Sequence, residues 1–214
     1  MNKVLIIGVG GHGRVVADTL EALAAPEIAF LDDCYPEIEE VGSWRVIGNT
    51  EGLEKWQSRY GDIIVAIGDN GTRLRFVREL SAIESRLPVV IHPRAYVSSN
   101  AELGAGTVVC AGAVVQPGAT LGRGCIINTG ATVDHDCVLG DGVHISPGVN
   151  LGGGVKIGDC TWIGIGASVR EYKRIGSNVL VGVGAAVISD VVDGAVVTGV
   201  PAKSNSALAQ KRHQ

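Results

Sequence analysis

From Val97 onward every sixth residue is aliphatic: Val97, Leu103, Val109, Val115, Leu121, Ile127, Val133, Leu139, Ile145, Leu151, Ile157, Ile163, Val169, Ile175, Val181 and Val187, sixteen in succession. Two places before it the residue is mostly small, as at Ala95, Ala101, Thr107, Ala113, Ala119, Cys125, Ala131 and Cys137. Glycine often follows it, as in Leu103-Gly104, Leu121-Gly122, Leu139-Gly140 and Ile157-Gly158. A period of six is neither the two of a strand nor the 3.6 of a helix. It fits a solenoid whose flat faces each take one hexad. The aliphatic residue points inward, the small residue fits the corner, and glycine supplies the turn. With three hexads to a triangular coil, the run makes about five coils and, at roughly 4.8 Å per strand, a prism on the order of 25 Å tall. Such a prism is rigid and without a cleft, so a site has to lie on its outer surface, between subunits.

Residues 1 to about 90 follow a different pattern. Lys3 to Ile7 is an apolar strand, and Arg14 to Leu23 carries Val15, Val16, Thr19, Leu20 and Leu23 at helical spacing. Ile28 to Leu31 and Ile63 to Ile67 read as further strands, Thr72 to Ser81 as a helix, and Val89 to Ile91 as a short strand leading out. Strands alternating with helices predict a small parallel sheet covered by helices.

Composition narrows the classes. Of 214 residues, 31 are glycine and only 4% are aromatic, so Val, Ile, Leu and Ala have to fill the core. With 46% hydrophobic and 19% charged residues, the chain can build a packed interior. Eighteen basic residues against 22 acidic, with a pI near 5.7, argue against a nucleic-acid or anionic-membrane partner. No apolar run approaches the roughly 18 residues of a membrane span, and the N-terminal apolar stretch is too short for a signal peptide. The five cysteines (Cys34, Cys110, Cys125, Cys137, Cys160) form an odd set with no CxxC pair. This favours a reducing cytoplasm over disulfides or a thiolate metal site.

The candidate chemistry is concentrated in a few residues. His135 stands two places after inward Val133, where a side chain points outward, between Asp134 and Asp136. An imidazole there can take a proton from an amine or hydroxyl acceptor, with a neighbouring carboxylate orienting the ring. A solvated turn histidine between surface acids fits the same residues. His144 lies nine residues on, about half a coil away. A zinc site lacks a third ligand, because His12 and His92 fall outside the regular repeat. Gly8-Val9-Gly10-Gly11-His12-Gly13 fits GxGxxG between a strand and a helix, and Asp32-Asp33 end the next strand. Glycines there let a backbone approach phosphate, and the acids can hold ribose or sugar hydroxyls. A bare structural turn fits as well. About ninety residues are too few for a full dinucleotide fold with a substrate domain.

Taken together, Ile7 to Gly13, Phe30-Leu31-Asp32-Asp33, Ala66 to Asn70, Ile91-His92-Pro93, Asn128 to Cys137 and Gly199 to Lys203 resemble the bacterial nucleotide-amino-sugar N-acetyltransferases of the bacillosamine and perosamine type. The sialic acid O-acetyltransferases share the layout. The resemblance implies a Rossmann-like α/β domain over 1–92, an all-β left-handed parallel β-helix of hexapeptide repeats over 93–203, and a polar tail over 204–214. It implies His135 as general base with Asp136 beside it, and no metal. Gly10, Gly11, His12, Asp32, Asp33 and Gly68 would hold the nucleotide sugar. His144, Ile165 and Gly182 would line the acetyl-CoA site; Val183 stands where relatives can carry a glycine. The expected assembly is a homotrimer with active sites between subunits.

The activity this points to is transfer of acetyl from acetyl-CoA to the 4-amino group of a nucleotide-linked 4-amino-4,6-dideoxy sugar. Three rivals remain on sequence grounds: a sugar O-acetyltransferase, a non-catalytic sugar-nucleotide-binding protein, and an NAD-binding oxidoreductase built on GxGxxG.

Overall fold

The computed structural model describes residues 3–24, 27–82 and 86–205. The N-terminal layer consists of β1 (Lys3–Ile7), α1 (Gly11–Ala22), β2 (Glu27–Leu31), β3 (Glu40–Val41), β4 (Trp44–Val46), α2 (Leu53–Gln57), β5 (Asp62–Val65) and α3 (Asn70–Ala82). The strands lie in the order β3-β4-β2-β1-β5, all parallel except β3 against β4. β1 sits between β2 and β5 because its unbroken apolar run can be buried on both faces. Val4 and Ile6 pack with Val16 and Leu20 of α1, while Leu5 and Ile7 pack with Val77 and Leu80 of α3. The β3–β4 hairpin and α2 escaped the pattern analysis, since strands of two and three residues are too short to show an alternation.

The remainder is a prism of three parallel sheets. The first face stacks Tyr96–Val97, Val114–Val115, Thr132–Val133, Asn150–Leu151, Ser168–Val169 and Ala186–Val187. The second stacks Glu102–Leu103, Thr120–Leu121, Val138–Leu139, Lys156–Ile157 and Arg174–Ile175. The third runs from Val90–Ile91 through Val108–Val109, Ile126–Ile127, His144–Ile145, Trp162–Ile163 and Leu180–Val181 to Val196–Thr198. Registers such as Val115↔Val133 and Ile127↔Ile145 put three hexads in each coil. All sixteen periodic aliphatics belong to one core inside the prism.

Two expectations need correcting. The strand leading out over Val89 to Ile91, expected within the α/β domain of 1–92, pairs as Val90–Ile91 with Val108–Val109 and is the first rung of the third face. The glycine after each aliphatic residue does not make the turn either. A Cβ on Gly104 would come within 2.5 Å of the Gly122 carbonyl carbon one coil away, so that position is kept small by close backbone approach. The left-handed residue comes two places later, at Gly106, Gly124 and Gly142 among others, and Asp136, Cys160, Tyr172 and Asn178 adopt it without being glycine. At the far end, Lys203–Ser204 folds back antiparallel on Val196–Thr198. Residues 206–214 of the expected tail, with His213, lie outside the described residues.

The two layers share a core. Val90, Val108 and Cys110 of the third face are buried with Val4, Ile6, Val16 and Leu20. α3 lies along the edge between the second and third faces, where Val77 meets Gly124 and Leu74 meets Gly142. Among the described residues no helix is long and apolar enough to cross a membrane.

Ile127 is fully buried in the prism core. Ile127→Ala is expected to destabilise the fold by about 2–5 kcal/mol. A shift in urea midpoint equivalent to less than about 1 kcal/mol would show that the coils close around the gap.

Candidate active site

His135 and Asp136 occupy the edge between the first and second faces, following Thr132–Val133. Asp136 has φ 58°, a left-handed conformation that costs an ordinary residue stability and is held here by the stacked coils. That bend turns its carboxylate back on the ring: His135 Nδ1 lies 2.8 Å from Asp136 Oδ2. The carboxylate only accepts, so Nδ1 carries the proton and Nε2 keeps its lone pair. The Asp134 carboxylate accepts from the His135 backbone N–H at 2.8 Å. Both side chains of the pair are more than half exposed. The hydrogen bond to Asp136 raises the imidazole above its ordinary pKa, and the negative charges of Asp134 and Asp136 act in the same direction. The ring lies against Gly153 one coil away, where any side chain would collide with it. Sequence reasoning missed Gly153. The signal was the run Gly152-Gly153-Gly154, three glycines where the repeat needs two.

His144 is a histidine of the opposite kind. It points outward from the third face, is buried, and stacks on Trp162 of the next coil with ring centroids 5.3 Å apart and planes 9° apart. Asn128 Nδ2 lies 3.2 Å from its Nε2, and Asn128 Oδ1 accepts from the Thr129 N–H, which fixes the amide so that it donates to the ring. Nδ1 then carries the proton, and among the described residues no group accepts from it. Burial, with the nearby charges of Arg73 and His12, lowers the pKa of His144 to about 3. His12 arrives from the start of α1; its Nε2 is buried without a partner, and burial with Arg73 lowers its pKa to about 4. The glycine turn and the third face therefore each carry a neutral imidazole with one ring nitrogen unmet among the described residues.

Ile165 and Gly182 follow rungs of the third face at the edge shared with the first face, with Ile165 exposed and Gly182 packed against Thr198. His144, Ile165 and Gly182 thus climb one side of the prism. His135 and Asp136 stand on the edge opposite the third face, so one chain does not bring the two groups together.

In the α/β layer, Gly10, Gly11 and Gly68 have open space where a side chain would be. Gly13 does not: a Cβ there would run into the Gly8 carbonyl oxygen and lie 3.2 Å from the Phe30 ring. Asp32 Oδ2 accepts from the Val9 N–H and Oδ1 from the Cys34 N–H, both at 2.9 Å. Burial alone would raise its pKa, but these bonds outweigh it and keep the group ionised. Asp33 Oδ1 accepts from the Thr50 N–H and hydroxyl. Both acids therefore shape the loops around a cavity of about 480 Å³, which is also lined by Gly8, Ile67, Arg75 and Phe76. It opens at the carboxyl ends of the strands, where α/β sheets take ligands. A cavity of about 740 Å³ lies against β4 and the start of β2, among Trp44, Trp56 and Tyr60, away from every residue with candidate chemistry. Among the described residues, no group of three or more His, Cys, Asp or Glu is arranged to hold a metal ion.

A prism of hexad coils with an outward histidine–aspartate pair, joined to a glycine-turn α/β layer, defines a two-domain transferase of the hexapeptide class. Residues 3–80 match the PglD N-terminal domain, and residues 118–153 match the bacterial transferase hexapeptide of six repeats. The acetyltransferase domain of PglB from Neisseria gonorrhoeae FA1090, solved with acetyl coenzyme A, is 46% identical, with a TM-score of 0.91 over 95% of this chain and 98% of that one. PerB from Caulobacter crescentus, solved with CoA and GDP-perosamine, is 37% identical, with a TM-score of 0.90 over 95% and 97%. UDP-N-acetylbacillosamine N-acetyltransferase of Bacillus subtilis is 36% identical over 114 residues, and the match spans about half of each protein (52%). The chain belongs to the hexapeptide-repeat sugar N-acetyltransferases with a PglD-type N-terminal domain, and its prism is the left-handed parallel β-helix of that family.

The two kinds of histidine are distinguishable in solution. In an NMR titration of the ring protons, His135 is expected to titrate above the ordinary imidazole range. Asp136→Asn should lower it, because the carboxylate is what favours the cation. His12 and His144 are expected to stay neutral down to pH 5. An unchanged His135 midpoint in Asp136→Asn would show that the pair does not form.

Proposed function

We propose that the protein transfers acetyl from acetyl-CoA to the 4-amino group of a nucleotide-linked 4-amino-4,6-dideoxy sugar, with His135 as general base. The observation that carries this reading is the exposed His135–Asp136 pair, with Nδ1–H committed to the carboxylate and Nε2 open. As the amine nitrogen attacks the thioester carbonyl, Nε2 takes the amine proton. The C–N bond forms, the C–S bond breaks, and CoA leaves as the thiolate. Asp136 stabilises the imidazolium without taking the proton. The relatives solved with acetyl coenzyme A and with CoA and GDP-perosamine support both substrate classes. Gly10, Gly11 and Gly68 leave room for a phosphate-bearing ligand, with His12 beside them and Asp32 and Asp33 holding the loops. His144 and Ile165 offer a neutral, partly apolar wall for CoA, with Gly182 completing the backbone of that edge. A cytoplasmic setting accords with five free cysteines.

The reading includes a homotrimer. Outward positions on the second face include Glu102, Lys156 and Arg174, suited to water. Those on the first face are Tyr96, Val114, Thr132, Asn150, Ser168 and Ala186, without a single charge. Turning the first face toward a three-fold axis sets the His135 edge of one chain beside the His144–Ile165–Gly182 edge of its neighbour, a closed arrangement of identical chains. That supplies the groove which a single convex prism lacks.

His135→Ala is expected to lower acetylation of a nucleotide amino sugar by roughly 10²–10⁴ with the fold intact. Asp136→Asn should cost less, since the proton acceptor remains. More than a third of wild-type turnover in His135→Ala would remove His135 as the base. Loss of the free amine from the product, with an acetyl group that resists mild alkali, separates N- from O-acetylation.

Light scattering is expected to give about three times 22.1 kDa. Mixed trimers of His135→Ala chains with chains altered at His144 should recover part of the activity lost by each alone. Full activity in a monomer would sink the shared site.

A further inference from the structure

Arg73 is the largest fully buried side chain among the described residues, at 1% exposure. It lies on the face of α3 that also carries Leu74 and Val77 and rests on the prism edge between the second and third faces. A guanidinium has five N–H donors, and here all five are used. Nε donates to the Gly124 carbonyl at 2.8 Å, and Nη2 to the Gly142 carbonyl at 2.8 Å and to Asn70 Oδ1 at 2.7 Å. Nη1 donates to the carbonyls of Ile67 and Gly68 at 2.9 and 3.0 Å. None of these acceptors is a carboxylate. Asn70 extends the pattern by donating from Nδ2 to the Cys160 carbonyl at 3.1 Å. Gly124, Gly142 and Cys160 are the same left-handed corner in three successive coils. One helix face therefore reads three coils and, through the same guanidinium, the loop after β5.

A buried cation hydrogen-bonded only to carbonyls, with the Asp69 carboxylate acting on it through charge alone, is costly to keep for stability, since apolar side chains of similar volume usually serve as well. The geometry it enforces is the more specific consequence. We propose that Arg73, supported by Asn70, is a positioning residue: it fixes the Gly68 loop of the sugar-nucleotide site in register with the prism corners and so sets where the substrate amine meets the base. This rests on the proposed acetyl transfer. The planar fork matters as much as the charge, because a lysine ammonium is a point donor that cannot bridge the Gly68 loop and two corners together.

The test compares Arg73→Lys and Asn70→Ala with the wild-type enzyme, scaled to folded protein by circular dichroism and light scattering. Arg73→Lys is expected to lower kcat about 10–100-fold, the penalty of a misplaced reacting group. The Kd values for CoA and for the preferred nucleoside diphosphate (from UDP, GDP and dTDP) should change less than about two-fold, because neither ligand alone has to span the two layers. Asn70→Ala, which leaves Arg73 four acceptors, should show the same split at smaller amplitude and serves if Arg73→Lys does not fold. Amide exchange should quicken at residues 66–72 in both variants. A kcat retained within three-fold, or one that falls in proportion to nucleotide affinity, would overturn the positioning role. If wild-type protein acetylates no nucleotide amino sugar, the proposed function fails instead. Exchange then decides the pin: unchanged protection at 66–72 rejects it, and quickened exchange upholds it.

Discussion

A prism one side chain wide has no interior to offer a ligand. Each hexad sends one aliphatic residue inward, and the sixteen together close the core. Chemistry is thereby confined to residues that turn outward at the edges, and recognition to what is laid against the outside. The α/β layer is laid against that outside. Its core runs onto the lower rungs of the third face through Val90, Val108 and Cys110, so the layer is seated by the same apolar burial that folds it.

On that scaffold the two classes of histidine follow from where they emerge. His135 leaves at an edge, where water and two carboxylates favour the cation. His144 leaves on a face covered by Trp162 and the neighbouring layer, where burial and Arg73 exclude the charge. It is fitted to donate or accept a hydrogen bond and not to carry a proton away. The same side chain thus serves different chemistry nine residues apart, because the coil turns it from an open edge to a covered face.

The repeat was legible because its period is enforced at every coil by one packing requirement, and His135 was legible because a titratable group on an apolar repeat stands out. Less legible was what depends on contact between coils. Gly104 read as a turn glycine, yet it is small because Gly122 lies against it; two glycines with unlike causes look identical in a sequence. Val89 to Ile91 read as a short strand leading out of the α/β half, because nothing local shows that its partner is Val108–Val109. Asp32 and Asp33 read as ligand groups, and much of their bonding capacity is spent on Val9, Cys34 and Thr50. Arg73 carried a faint signal: a cation among Leu74, Val77 and Leu80 on a helix face that otherwise reads as core.

These contacts bear on one another. The His135 edge and the His144–Ile165–Gly182 side belong to one prism, so the chain's own core fixes their separation. The α/β layer is a second body, joined by apolar contact, which tolerates sliding, and by the Arg73 hydrogen bonds, which do not. Burial supplies the adhesion, and directional bonds supply the register. A small rotation of that layer against the prism would pull the Gly68 loop away from the corners at Gly124 and Gly142. A fully satisfied, planar, buried guanidinium at the pivot is the kind of contact that limits such rotation. It also accounts for an arginine where hydrophobicity alone would have placed a leucine.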